Sequence, residues 1–203
     1  MDLTDRAEHG AFRGEVRQFL DQNKHLAPDV SSFTLRMRPR KLSEDVRDWQ
    51  GLLVDRGLTS RTIPKAYGGF GAEPDILKSR IIADEFFAAD TVQGLRNMSI
   101  SMLGPTMLEH GTEAQKQRYI EPSIRSQLVW CQGYSEPNAG SDLASLQTAA
   151  TEDGDDFIIN GQKIWTSGAH VADMMFCLVR TEQNIISDRK STRLNSSHLY
   201  ISY

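Results

Sequence analysis

The run Trp130-Cys131-Gln132-Gly133-Tyr134-Ser135-Glu136-Pro137-Asn138-Ala139-Gly140-Ser141-Asp142 concentrates residues that let a backbone pass close to a bulky group. Pro137 stiffens the approach, Gly140 carries no Cβ to obstruct it, and Ser141 adds a hydroxyl at the far side. Such a loop can turn backbone N–H groups toward a ring edge or a pyrophosphate. As composition alone, the same Pro, Asn, Gly, Ser and Asp describe a surface turn between two strands. A second run, Ile159-Asn160-Gly161-Gln162-Lys163-Ile164-Trp165-Thr166-Ser167-Gly168, follows a tight-turn dipeptide and sets an indole and two hydroxyls on one short segment. By periodicity alone it reads as a half-buried strand with its aromatic side chain in the core.

Together the two runs resemble the middle domain of the acyl-CoA dehydrogenases, flavoenzymes that desaturate acyl thioesters, and the resemblance spans residues 1 to about 186. The family loop reads Glu-Pro-Gly-x-Gly-Ser-Asp; Asn138 stands where the first Gly would be, and Asn is the next best residue for left-handed backbone. The resemblance implies an FAD site built from Gln132, Gly133, Tyr134, Ser135, Gly140, Ser141, Trp165, Thr166 and Ser167. In it Ser135 would bond the pyrimidine side of the ring, and Ser141 would reach both the cofactor and the pantetheine or phosphate region of the substrate. Trp165 would lie against the flavin, and Ser167 would hydrogen-bond near N5, where hydride arrives. Pro64 to Gly71 resembles a family loop written Pro-x-x-Tyr-Gly-Gly-x-Gly. It lacks the spacing of a phosphate-binding glycine loop and no strand precedes it, so its glycines are expected to let the chain cross close to a helix.

The elements that must hold these runs fall into two blocks, which predicts an α+β fold: an N-terminal all-helical domain (1–126), a truncated antiparallel β domain (127–186) and a tail (187–203). Phe12, Val16, Phe19 and Leu20 form one helical stripe, and Val46, Trp49, Leu52 and Leu53 a second. Ser43 is placed to cap the second helix and Gly57 to end it as a left-handed cap. A third helix is expected near Pro74, in its first turn, with Ile76, Leu77, Ile81, Ile82 and Phe86 heavily buried. A fourth spans Ser99 to His110, with Gly104-Pro105 bending it or marking its start and Gly111 stopping it. Thr112 and Gln115 match a capping box for a short helix that reaches about Ile120 and is ended by Pro122. From Gln127 the period shortens: Leu128 to Tyr134, Leu146 to Thr151, Phe157 to Ile159, Lys163 to Thr166 and Met174 to Val179 read as strands, with Asp153-Gly154 and Asn160-Gly161 as hairpin signals. The last 17 residues, Ser187 to Tyr203, continue no rhythm and resemble translated adaptor sequence.

With 27 acidic against 23 basic residues and a net charge of −4, the chain carries no electrostatic footprint for nucleic acid. No apolar run has the length of a membrane span, and cytoplasmic is the default location. Cys131 and Cys177 read as small core residues, and the five histidines show no metal spacing.

Desaturation needs a carboxylate to take the α-proton while the β-hydrogen leaves as hydride. In the family that base comes from a C-terminal helical bundle, so no catalytic residue is assigned here and the chain reads as part of an enzyme. The resemblance further implies an acyl-CoA substrate, electron-transfer flavoprotein or a similar acceptor as partner, and a homo-oligomer. An acyl-CoA oxidase, a flavin monooxygenase on the same scaffold, or a non-catalytic interaction module are the competing readings, because fold does not fix reaction. Residues 1–186 expressed alone are expected to hold FAD weakly or not at all and to show no dehydrogenase turnover; stoichiometric yellow flavin with acyl-CoA reduction would refute this.

Overall fold

The computed structural model describes residues 7–29, 42–95, 98–154 and 156–181. The connection at 30–41, Arg96 and Asn97, Asp155 and the tail lie outside them. Among the described residues, five α-helices precede four short strands: α1 (Ala7–Asn23), α2 (Glu44–Asp55), α3 (Ile76–Ala88), α4 (Gly104–His110), α5 (Glu113–Ile124), β1 (Trp130–Gly133), β2 (Ala149–Asp153), β3 (Asp156–Asn160) and β4 (Met174–Cys177). The helix-then-strand order of an α+β fold is therefore observed.

Apolar spacing explains the first three helices. Val16, Phe19 and Leu20 of α1 pack with Trp49 and Leu53 of α2 and Ile82 and Phe86 of α3 in one buried cluster. Across the same contact, Arg13 and Arg17 reach Glu85 at 2.7 and 2.6 Å, and the Arg17 guanidinium, then Arg13, hold that buried carboxyl below the usual carboxylate range against the opposing effect of burial. Gly57 has φ +64°, and the N–H groups of Gly57 and Leu58 donate to the carbonyls of Val54 and Leu53, the paired bonds of a Schellman cap. Ser43 occupies the N-cap of α2 as expected, without a side-chain capping bond. The Thr112–Gln115 capping box is present in both directions.

Three expectations fail for local reasons. Asp75, not Pro74, starts α3: its carboxylate accepts from the Lys78 N–H at 2.9 Å, which places Pro74 outside the helix. Only part of the broad apolar run on α3 is buried: Ile81, Ile82 and Phe86 are, while Ile76 and Phe87 are 73% and 90% exposed, since the core shared with α1 and α2 covers one side of the helix. Pro122 does not end α5, which runs on to Ile124. One missing N–H costs less than the burial of Tyr119, Ile120 and Ile124 contributes. The segment before α4 is a π-helical turn, Ser99–Leu103, with Gly104-Pro105 opening the α-helix proper.

The strands do not form one sheet. β2 and β3 make an antiparallel hairpin in which Asp153 faces Asp156, with Gly154 at φ +65° after the end of β2, beside the Asp153-Gly154 signal. β1 and β4 pair in parallel, Trp130 opposite Met174 and Gly133 opposite Cys177, which departs from the antiparallel expectation. Parallel pairing is possible because residues 134–173 form the long crossover that joins them. Helices and strands share a core: Leu103, Met107, Ile120 and Ile124 pack with Trp130, Met174 and Phe176. The Trp130 indole N–H donates to Ser123 Oγ at 2.9 Å, and its ring meets Tyr119 edge-on, 5.8 Å between centroids.

Gln50 completes the helical block. It is fully buried; its amide donates to the Ile124 carbonyl, one of the orphans at the end of α5, and accepts from the Leu95 N–H, both at 2.8 Å. Gln50→Leu keeps the volume and strands both partners, which should lower unfolding stability by about 2–4 kcal/mol. Urea denaturation checks this; an unchanged midpoint would show that the bridge is idle.

Candidate functional site

The end of β1 and the loop after it carry the first group of candidate residues. Gly133 is buried in β1, where a Cβ would lie 2.6 Å from the Met175 sulfur of β4, so a larger residue there would have to displace the Met175 side chain. Gln132 and Tyr134 are half-buried, and the Tyr134 ring leans on Phe176 with centroids 5.6 Å apart. Glu136 and Ala139 then close a tight turn by exchanging backbone bonds of 2.8 and 3.1 Å, with Pro137 and Asn138 exposed at its tip. Asn138 is not left-handed, contrary to expectation; the reciprocal bonds form without positive φ. Gly140 and Ser141 follow, both exposed, and a Cβ on Gly140 would meet nothing within 4 Å.

The second group arrives along the segment after β3. It is extended but forms no strand, which corrects the expectation for Lys163 to Thr166. Trp165 is the reason: it sits at φ +57°, rare for a bulky residue, and Gly168 follows at φ +79°. The Ser167 N–H folds back onto the Trp165 carbonyl at 3.0 Å, and the indole is 86% exposed instead of lying in the core. Thr166 is half-buried, with its hydroxyl oxygen fully enclosed and unpartnered, and Ser167 is exposed.

The two groups are brought together, through a residue that the sequence did not nominate. The Ile164 N–H donates to the Ser135 carbonyl at 2.9 Å, which puts Trp165 one residue from a direct bond to the middle of the first run. Beside this bond Glu136 is buried, and its carboxylate accepts from Lys163 Nζ at 2.8 Å and from the N–H groups of Gln147 and Thr148 at 2.6 and 2.9 Å. Burial is the strongest single influence on Glu136 and pushes its pKa up. The Lys163 ammonium and the two N–H donors outweigh it and hold the group at about 2. That rules Glu136 out as a general base near neutrality, where a useful base must accept a proton in the operating range. Among the described residues, no direct hydrogen bond joins Gly140 or Ser141 to Trp165, Thr166 or Ser167; the loop tip reaches them by way of Glu136. Cys131 and Cys177 are buried, and desolvation pushes both thiols up, as core residues behave.

The remaining motif is structural. Gly68, at φ +76°, packs where a Cβ would clash with the Glu121 side chain of α5, and Tyr67 Oη donates to Glu113 at 3.0 Å, so the Pro64–Gly71 loop does cross close to a helix.

The N-terminal domain of the acyl-CoA dehydrogenases matches residues 6–127 and the middle domain residues 131–194. The chain belongs to the acyl-CoA dehydrogenase family. It is 39% identical over 178 residues to acyl-CoA dehydrogenase IpdE1 of Mycobacterium tuberculosis, covering 85% of this chain and 44% of that one. Among solved structures it resembles the Tcur3481-Tcur3483 steroid acyl-CoA dehydrogenase (33% identity, TM-score 0.64, 91% of this chain and 46% of that one). It also resembles butyryl-CoA dehydrogenase of Megasphaera elsdenii (25% identity, TM-score 0.59, 90% and 46%). The chain thus spans less than half the length of the relatives it matches. The middle-domain match enters the 187–203 tail and stops at residue 194. Among the described residues, no helix is long and apolar enough to cross a membrane, and no cluster of His, Cys, Asp and Glu is arranged to hold a metal.

The depressed pKa of Glu136 has a defined pH consequence. Its folded value lies below the ordinary 4.5, so its ionised form stabilises the fold above that pH, and the contribution is lost as pH falls toward about 2. The full effect is on the order of 3 kcal/mol. Comparing the natural chain with Glu136→Gln in urea from pH 6 downward, the advantage of the natural chain should shrink below pH ~4.5. An advantage independent of pH would contradict the ionised pair.

Proposed function

We propose that this chain contributes the helical domain and part of the flavin site of an FAD-dependent enzyme that introduces an α,β double bond into an acyl-CoA thioester. The observation that carries the reading is the convergence of the Gln132–Ser135 run with the Trp165–Ser167 segment, pinned by the Ile164–Ser135 bond and the Glu136–Lys163 pair.

The residues present suit a flavin on three counts. Trp165 offers a large exposed aromatic face for a planar ring system. The enclosed Thr166 hydroxyl has no partner among the described residues, and a buried polar atom of this kind is satisfied at low cost by an adjacent ligand. Gly140 needs its missing Cβ for nothing inside the chain, since a methyl there would meet open space and its φ is not positive. A glycine at that point suits close passage to something outside the chain.

Bound there, FAD supplies the hydride acceptor. The chain's own part is to bind and orient. Gln132, Gly133, Tyr134 and Ser135 line one edge, with the Ser135 carbonyl already committed to Ile164, which leaves its hydroxyl for the ring. Trp165 excludes water from one face, and Thr166 and Ser167 present hydroxyls beside it. Gly140 and Ser141, at the loop's far end, reach the cofactor and the substrate's pantetheine or phosphate. Because the ion pair beneath is neutral overall, it adds no net charge to the site, and proton removal at the α-carbon falls to a group other than Glu136. An electron-transfer flavoprotein or similar acceptor would reoxidise the enzyme, which we place in an assembly with further subunits. The steroid named for one solved relative makes a ring-bearing acyl group a natural first substrate to test.

FAD titrated into the isotope-labelled chain at millimolar concentration should shift the amide resonances of residues 132–135, 140–141 and 165–167, weakly and saturably. Replacement of Trp165 by Ala should abolish the pattern. Saturable shifts clustered away from these residues, or a pattern that survives the loss of Trp165, would overturn the proposal.

A further inference from the structure

The middle segment buries one lysine, and its connections reach well beyond an ion pair. Lys163 keeps only 8% of its side chain exposed. Its ammonium donates to Glu136 Oε1 at 2.8 Å and to the Tyr134 carbonyl at 3.2 Å, two acceptors on opposite sides of Ser135. The next residue, Ile164, donates its N–H to the Ser135 carbonyl at 2.9 Å. Three consecutive residues of one run are therefore gripped by two consecutive residues of the other. The residue after that grip is Trp165, at φ +57° with its indole outside the core. A bulky residue leaves the left-handed region unless its surroundings over-determine it. Apolar burial cannot be what holds Trp165, since the indole is 86% exposed. The constraint must come along the backbone: from Lys163 and Ile164 before it, and from the Ser167 N–H returning to the Trp165 carbonyl at 3.0 Å after it.

We propose that Lys163 is the positioning residue of this site: by bridging Glu136 and the Tyr134 carbonyl it holds Trp165 in its left-handed conformation with the indole presented outward. Glu136 serves as the anchor for that bridge, fixed in turn by the Gln147 and Thr148 N–H groups. The pair thus converts a surface turn and an irregular segment into one rigid edge. The functional meaning of an outward Trp165 rests on the flavin reading above, whereas the bridge itself is a property of the chain and is tested without flavin.

The test is amide hydrogen exchange by NMR on the 203-residue chain carrying Lys163→Met, Lys163→Arg, or Glu136→Gln with Lys163→Met. The double variant is neutral, so it stays folded where Lys163→Met alone would strand a buried carboxylate. In both Met variants, protection at Ile164 and Ser167 should fall at least about tenfold relative to Leu178, whose N–H pairs with Gly133, and relative to Leu58 in the helical block. Lys163→Arg, which can still span both acceptors, should restore it. Trp165 fluorescence, isolated by subtracting each variant's Trp165→Phe counterpart, should change emission maximum in the Met variants only. Unchanged protection in the double variant, a loss no greater than that at Leu178, or no rescue by Arg would each overturn the proposal. FAD-induced shifts clustered away from Trp165, with the exchange result as expected, would count against the flavin reading alone.

Discussion

A charge pair sealed from water decides the arrangement of the whole middle segment. Removing Glu136 and Lys163 from solvent is costly, and the attraction between them repays it only when every remaining acceptor and donor is engaged. Here the carboxylate has three donors and the ammonium two acceptors, drawn from residues 134, 136, 147, 148 and 163. No part of that set can leave without stranding the others. The pair therefore fixes the loop, the start of β2 and the approach to Trp165 in one act. The close approach of β3's end to β2 depends on the same arrangement: a Cβ on Gly161 would lie 2.6 Å from Thr148 Cα.

The pair needs a firm base, and the helices provide it. Trp130, the first residue of β1, is buried against Tyr119 and hydrogen-bonded to Ser123 of α5, so β1 leaves the helical block in a set direction. Arg180, beyond β4, donates its backbone N–H to Thr148 and its guanidinium to the carbonyls of Leu146 and Ala144. β4 is thereby tied to the strand that presents Thr148 to Glu136. Helical packing, the parallel β1–β4 pair and the buried ion pair form one continuous chain of contacts, and the solvent-facing candidate residues sit at its end.

Legibility in the sequence followed the range of the interaction. Stripes such as Val16, Phe19 and Leu20, the Thr112–Gln115 capping box and the left-handed Gly57 are decided within a turn or two, and all were readable. Ile76 and Phe87 were not, because exposure depends on which neighbours arrive, and apolar character alone does not say. Pro122 misled for a related reason: local chemistry argues for a stop, while the burial of Ile124 argues for one more turn. Glu136 stands beside a proline inside a run that already looked like a turn, and its partner lies 27 residues away. No periodicity relates the two, although an acid and a lysine each placed within a cofactor-type run were a signal that could have been read.

Composition and order of residues by themselves determined that helices come first and strands second, and which family the two marked runs resemble. These follow from local propensity and from residue types that few other contexts require. Only the tertiary structure decided that β1 and β4 lie parallel, that Trp165 faces outward in a left-handed conformation, and that Glu136 is a buried anchor and not a base. Each of those outcomes turns on contacts between distant segments whose local sequences permit more than one conformation, and burial and hydrogen bonding across those contacts select among them.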